Sequence, residues 1–281
     1  MKKMIFSFMI AFMISYAYGQ EFVPTQEDIN TFFTTKTLVV LNDNPMSEYN
    51  FFVKKVMEQE WTITDYEFIN QSEFEKKRLD HQYSFIYMSK VTFEHDKTDA
   101  QYRFLHLSLG GDYFRLNQMP DLAQIPIAYF GVDEDSYGYK FGILLRFMQN
   151  HAKHIKDNPK IVSSNVLKHY NDNIKKIQGK TLFLLEDELA KEVNTAARIK
   201  KIYPYKFKIV TQDEIERAIK ERDDKVVFLH KVGPEGTKIN ARSYKILVGA
   251  GDANFYYFDY HKINKKKPDG FLASDFKRLA K

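Results

Sequence analysis

The chain has 281 residues, 44 % of them hydrophobic and 28 % charged, with only 12 Gly and 8 Pro, which excludes disordered, collagenous and low-complexity classes. Its formal net charge of +5 is too small on this length to point to nucleic acid or an anionic lipid surface. There is no cysteine, so disulfides, thiol catalysis and thiolate metal sites are excluded together.

The first twenty residues read as an export signal. Lys2 and Lys3 precede an apolar run from Met4 to about Tyr18, and Ala17-Tyr18-Gly19 gives the small-residue pattern of a cleavage site before Gln20. The run is shorter than the roughly 20 residues a spanning helix needs. Cleavage is therefore expected between Gly19 and Gln20, with no lipid-anchoring Cys behind it and no later stretch apolar enough to span a membrane. Loss of Lys2 and Lys3 takes the charge from +5 to +3. Export without disulfides suits a bacterial envelope, so the mature chain is expected in the periplasm or outside the cell.

Thr25 is placed to cap a helix that ends near Phe33, and Thr37 to Leu41 reads as a strand covered on both faces. Asn42-Asp43-Asn44-Pro45 breaks that strand and starts a helix with Pro45 in its first turn, where Tyr49, Phe52, Val53 and Val56 recur at helical spacing. A strand over Ile63 to Ile69 follows, then a helix capped by Ser72 that runs to about Asp80, then a strand from Phe85 to Val91. Beyond a polar turn, Tyr102 to Leu109 alternates like an antiparallel strand into Gly110-Gly111-Asp112. Phe114 to Leu116 and Ile127 to Phe130 can add strand, and a helix from Tyr139 to about Lys156 closes the unit. Asn158-Pro159 ends it. Ser163-Ser164-Asn165 can cap a helix through Ile177.

The same order then recurs: strand 181–185, helix from about Glu188 to Ile202, strand 206–210, helix 213–222 and strand 225–231. After the turn Gly233-Pro234-Glu235-Gly236 come strands from Ser243 to Val248 and from Asn254 to Asp259, and Ser274 starts the last helix. Local residues support the repeat. Lys180-Thr181-Leu182 echoes Lys36-Thr37-Leu38 at a spacing of 144, and Gln212, Glu214, Glu216, Lys231 and Val232 answer Gln71, Glu73, Glu75, Lys90 and Val91 at a spacing of 141. The expected fold class is α/β with α+β character: a tandem duplication of a βαβαβ unit, each followed by an antiparallel hairpin and a closing helix. The expected division is a signal at 1–19, a first unit at 20–158 with an insertion at about 116–139, and a second unit at 159–281.

Phe207 to Thr211, running into Gln212-Asp213-Glu214-Ile215-Glu216-Arg217-Ala218-Ile219 and then the strand Val226 to His230, resembles the periplasmic α/β domains of the TolB N-terminal and curli-secretion lipoprotein type. That resemblance implies a protein-interaction module of envelope assemblies rather than an enzyme. A tandem thioredoxin-like fold without redox cysteines is the alternative.

No residue set compels a catalytic, cofactor-binding or metal-ligating assignment. The turns after the first strands, Asn42-Asp43-Asn44-Pro45 and Glu186-Asp187-Glu188, put acid where a phosphate would have to sit. His151 and His154, three apart on a helix, could share a metal with His169, but a solvated helix end is the plainer reading. His95 with Asp96, and His230, lack a partner pattern. Asp112 and Asp252 follow glycine as tight-turn residues do, and Asp133, Glu134 and Asp135 lack the spacing of a calcium loop. No Ser stands in a Gly-x-Ser-x-Gly setting. The most suggestive surface is Phe255 to Lys262 with Lys265-Lys266-Lys267 behind it. On a regular strand Tyr256, Phe258 and Tyr260 share one face and Phe255, Tyr257 and His261 the other; one face must be core, and the last helix or a partner covers the second. Tyr256, Tyr257, Tyr260 and Lys262 are the partner-binding candidates. These features together favour a non-catalytic interaction or scaffold protein of the envelope, binding another envelope protein and no cofactor. The rival is a ligand-binding protein or hydrolase with its site in the cleft between the units.

Overall fold

A computed structural model describes residues 23–163, 166–235 and 240–281. The signal segment with its Gly19–Gln20 junction lies outside the described residues, as do Ser164, Asn165 and Gly236. In chain order the helices are α1 (Gln26–Phe32), α2 (Glu48–Glu60), α3 (Gln71–Lys77), α4 (Asp135–Gly138), α5 (Phe141–Asp157), α6 (Lys160–Ser163), α7 (Val166–Asn171), α8 (Ala196–Lys200), α9 (Gln212–Lys220) and α10 (Ala273–Leu279). The strands are β1 (Lys36–Val40), β2 (Tyr66–Ile69), β3 (Tyr83–Thr92), β4 (Gln101–Leu109), β5 (Asp121–Tyr129), β6 (Thr181–Leu184), β7 (Phe207–Ile209), β8 (Val226–Val232), β9 (Arg242–Gly249) and β10 (Phe255–Lys262).

The fold is α/β, with two five-stranded mixed sheets. One has the order β2-β1-β3-β4-β5 and the other β7-β6-β8-β9-β10. In each, the first three strands are parallel and the last three antiparallel, so helical crossovers make one half and hairpin-like connections the other. β5 and β10 therefore hold equivalent places, and the expected insertion at 116–139 needs correcting, because its middle is β5. The extra length of the first half lies instead in the loop 110–120, against 250–254 in the second, and in the stretch that carries α4.

Several boundaries move for identifiable reasons. Asn70, not Ser72, caps α3: its side chain accepts from Glu73 N, and Glu73 returns a bond to Asn70 N. Pro45 sits in the turn ahead of Ser47, which takes the cap position of α2. Phe114 to Leu116 forms no strand. The helix expected from Glu188 to Ile202 contracts to α8, because Leu189 instead pairs with Phe271 in an isolated parallel bridge. Asn158-Pro159 does end α5, but α6, α7 and a 3₁₀ turn at Ile174–Gly179 replace the single helix expected to Ile177.

α5 lies at the centre. Phe141, Ile143, Leu144, Leu145, Phe147, Met148, Ala152 and Ile155 are all buried, a broad apolar face that the buried Arg146 and Gln149 widen, while Lys153, His154 and Lys156 near its end face solvent. One apolar core joins α5 to Val39, Ile86, Leu105 and Ile125 of the first sheet and to Phe228, Ile246, Val248 and Phe255 of the second. This core crosses the expected boundary near Pro159. Its few polar side chains bind both halves. Gln149 accepts from Thr62 N at 2.8 Å, while Arg146 donates to the Ala250 carbonyl at 2.9 Å and Asn150 to that of Asp252 at 3.1 Å. A second core backs the other sheet face with α8 and α10, and includes Leu182, Leu247, Tyr257 and Phe276.

Under α10, Lys245 and Asp275 form a buried ion pair at 2.8 Å. The same carboxylate accepts from Tyr257 Oη at 2.8 Å and from Leu272 N at 2.8 Å, so it also caps the helix. Replacing Asp275 by Ala strands a buried ammonium. The expected loss is roughly 3–5 kcal/mol, to be read as a lower urea midpoint at unchanged slope.

Candidate functional site

Where the end of β5, the start of α5 and the end of β8 meet, polar side chains gather that no single stretch of sequence brings together. Lys140 caps α5 and is only 2 % exposed. Its Nζ lies 3.0 Å from Glu188 Oε1, contributed by the 3₁₀ turn Glu186–Glu188. The acids of that turn thus face an ammonium rather than a bound phosphate. Glu188 is held there by backbone pairing: Phe271 N donates to the Glu188 carbonyl at 2.8 Å and Ala190 N to that of Phe271 at 3.0 Å. This close approach needs Gly270. It has φ +117°, and a Cβ on it would come within 2.9 Å of Ala190 N. The same segment carries Asp269, 2.7 Å from Lys231 Nζ. Gly233 leaves it room, since a Cβ there would sit 2.3 Å from Asp269 Oδ1. His230, 1 % exposed on β8, donates through Nε2 to the Pro126 carbonyl of β5 at 2.9 Å.

These groups line a cavity of about 360 Å³ between the two sheets, with Tyr137 and Gln212 on its wall. That is within the usual span of small-ligand sites. Two cations, Lys140 and Lys231, stand against four carboxylates, Asp187, Glu188, Glu235 and Asp269, so acid is in excess. Glu188 Oε2, Asp269 Oδ1 and His230 Nδ1 are buried and have no protein partner. Buried polar atoms in native folds almost always have one, so each orphan marks a place for a guest or an ordered water. All three are acceptors, because a neutral His230 that donates through Nε2 leaves Nδ1 bare.

The electrostatics follow from burial. Burial pushes the Glu188 carboxyl up, and Lys140 only partly offsets it. Burial pulls Lys140 down, but Glu188 and Tyr139 more than restore it, so the ammonium persists. His230 falls to about 3, through burial first and the Lys140 charge second. Perturbed titratable groups around a cleft are the physical mark of a functional site.

The residues singled out from sequence fare unevenly. Tyr256 and Tyr257 are buried and present no surface. A register shift between Phe255 and Tyr257 in the β9–β10 ladder breaks the expected alternation, so both tyrosines join the core under α10 while Phe255 stacks on Phe147 at 3.5 Å. Tyr260 remains 40 % exposed, with the Arg242 guanidinium 4.9 Å from its ring centre. Lys262 is exposed and reaches Asp96 at 2.6 Å, a partner that also holds Arg242. Asp252 sits in the β9–β10 turn and accepts from Asn254 N, as a turn residue does. Glu134 is drawn inward: it accepts from Tyr49 N at the start of α2 and pairs with Arg103 at 2.7 Å. Asp133, Asp135 and Glu48 remain an exposed acidic trio. His154 and His169 do meet, with Nε2 atoms 3.2 Å apart, while His151 Nδ1 binds the Tyr170 hydroxyl.

One constellation escaped the sequence. Ser89 Oγ lies 2.7 Å from His106 Nε2, and His106 Nδ1 lies 3.2 Å from Asp121 Oδ2, on three adjacent strands. The order matches a nucleophile, base and orienting acid. However, the apolar cavity beside it, about 370 Å³, is lined by Phe104 and Asp121 and by neither Ser89 nor His106, so that cavity offers no substrate position over the hydroxyl. Spacings of 17 and 15 residues gave no motif to find. No protein-family model matches this chain, and neither a curated protein nor a solved structure does.

His230 gives the cleft a pH signature. An unfolded histidine binds its proton near pH 6.5 and the folded one near 3. Between those values the unfolded chain takes up a proton that the folded chain refuses, so stability is complete above about pH 6.5 and falls as pH drops toward 3. His230→Gln keeps an N–H for the Pro126 carbonyl but cannot titrate. Urea midpoints measured from pH 7 to pH 4 are expected to fall less steeply in that variant, with His151, also held at about 3, supplying part of the remaining slope.

Proposed function

We propose that the chain is an exported binding protein that holds a small neutral or cationic molecule, rich in N–H and O–H donors, in the cavity between its two sheets. The observation that carries this reading is the set of three buried acceptors without partners, Glu188 Oε2, Asp269 Oδ1 and His230 Nδ1, on the wall of one ligand-sized space. Lys140 and Lys231 pair with Glu188 and Asp269, and Asp187 and Glu235 leave carboxylate in excess, which disfavours an anionic guest. An envelope scaffold is the second reading. Its surface shrinks to Tyr260, Lys262 and the lysines at 265–267, since Tyr256 and Tyr257 are enclosed. The matched order of the two sheets supports descent from one duplicated unit.

The binding reading is tested by thermal shift of the purified chain from Gln20 to Lys281 against a panel of amino acids, amines and monosaccharides. A true ligand at a hundred times its Kd adds about 2.7 kcal/mol and raises Tm. Ala128 lies on the cavity wall. Ala128→Leu adds aliphatic bulk to that wall while removing no polar group, and is expected to abolish the shift. A panel without effect, or a shift unchanged in Ala128→Leu, would sink the reading.

Export rests on the first nineteen residues. Expressed with its full N-terminus in a Gram-negative host, the protein is expected to be recovered from the periplasm starting at Gln20, as read by mass spectrometry of the intact chain. Recovery with Met1 in the cytoplasm would reject it.

A further inference from the structure

The C-terminal end of α5 carries a second arrangement, separate from the cavity at its other end. His154 on α5 and His169 on α7 point their Nε2 atoms at each other across 3.2 Å. A direct hydrogen bond is one explanation, and it requires one ring to donate and the other to accept. A second explanation fits the same distance. Two nitrogens each bound about 2.0–2.1 Å from a zinc ion at the tetrahedral angle are about 3.3–3.4 Å apart. We infer that His154 and His169 form a two-imidazole site for a borderline divalent transition metal such as Zn²⁺, with its remaining positions open to water.

Further observations point the same way. The two rings lie on the wall of a cavity of about 390 Å³ that also exposes His151, so the metal has space for its other ligands. Behind the pair, His151 and Tyr170 are locked together by a hydrogen bond, and His151 stacks on Phe147 at 5.7 Å. That contact fixes α7 against α5, and with it the spacing of the two ligands. Lys176 lines the same cavity. Its ammonium disfavours a simple organic cation, which has only charge to offer, more than a metal that forms two coordinate bonds. The lack of cysteine restricts the donor set to nitrogen and oxygen, which suits Zn²⁺, Ni²⁺ or Cu²⁺ over Cu⁺.

The test uses untagged protein from Gln20 to Lys281, stripped with chelator and dialysed, because a polyhistidine tag would mask the result. Zn²⁺ is titrated calorimetrically, and Co²⁺ by its visible absorption, which reports imidazole coordination directly. One ion per chain is expected. His154→Gln and His169→Gln are each expected to weaken Zn²⁺ at least tenfold and to remove the Co²⁺ bands, with the circular dichroism of the parent retained because His154 is exposed. His95→Gln, on an exposed turn, should change nothing. Failure of the parent to bind, or undiminished binding in either His154→Gln or His169→Gln, would show the 3.2 Å contact to be a hydrogen bond only and overturn the assignment. Neither result depends on whether the inter-sheet cavity holds a ligand.

Discussion

The constraint on which the structure depends is the enclosure of one seventeen-residue helix, α5, between two β-sheets. A surface helix satisfies water on one side and a core on the other. α5 has little such freedom. From Phe141 to Gln149 its side chains are largely buried and serve both sheets, so the polar ones there must find partners inside the protein, while Lys153, His154 and Lys156 face solvent. Arg146 and Asn150 find theirs in carbonyls of the β9–β10 turn, and Gln149 finds its own at the end of α2. Those bonds fix the helix along its axis and in rotation. With Phe147 of α5 stacked on Phe255 of β10, the two halves share one continuous core.

Burial of this kind decides what the polar groups at the ends of α5 can do. At its start, Lys140 has been taken out of water and answered by Glu188, which comes from the far side of the chain's midpoint. Such a pair contributes little net stability, because desolvation consumes most of the Coulomb gain. A chain selected for stability alone could fill that volume with aliphatic side chains. Instead it gathers Lys140, Glu188, His230, Lys231 and Asp269 around a space and leaves three acceptors unmatched. The Lys245–Asp275 pair beneath α10 makes the contrast. It is equally buried, but Tyr257 and Leu272 N complete its carboxylate. One pair is a closed structural joint and the other is an open polar wall.

Much of the architecture was legible in the sequence because it rests on local rules. The strand–helix alternation, the capping box of Thr25 with Asp28, and the β9–β10 turn at Gly251-Asp252 all follow from neighbours a few residues apart. The errors share a cause as well. Tyr256 and Tyr257 were assigned to opposite faces by strict period-two alternation, and a single bulge puts both into one core. The helix expected after Glu188 lost to a pairing with Phe271, more than eighty residues away, that no local window contains. The candidate site was illegible for the same reason. Glu188 looked like one acid among three beside an empty turn, and only Gly270, by letting the 268–271 segment approach, shows why that acid is buried.

Both ends of α5 carry groups suited to binding, and the helix makes their positions rigid rather than incidental. Lys140 precedes its first turn and His154 stands in its last, about 20 Å apart at 1.5 Å per residue. Because the intervening side chains are packed against both sheets, neither end can shift far without opening a cavity, and a cavity in a close-packed core is costly. The polar wall at one end and the imidazole pair at the other are therefore held to fixed geometry by the same apolar contacts. A surface helix would have offered the same residues at the same spacing, but it could not have held them still.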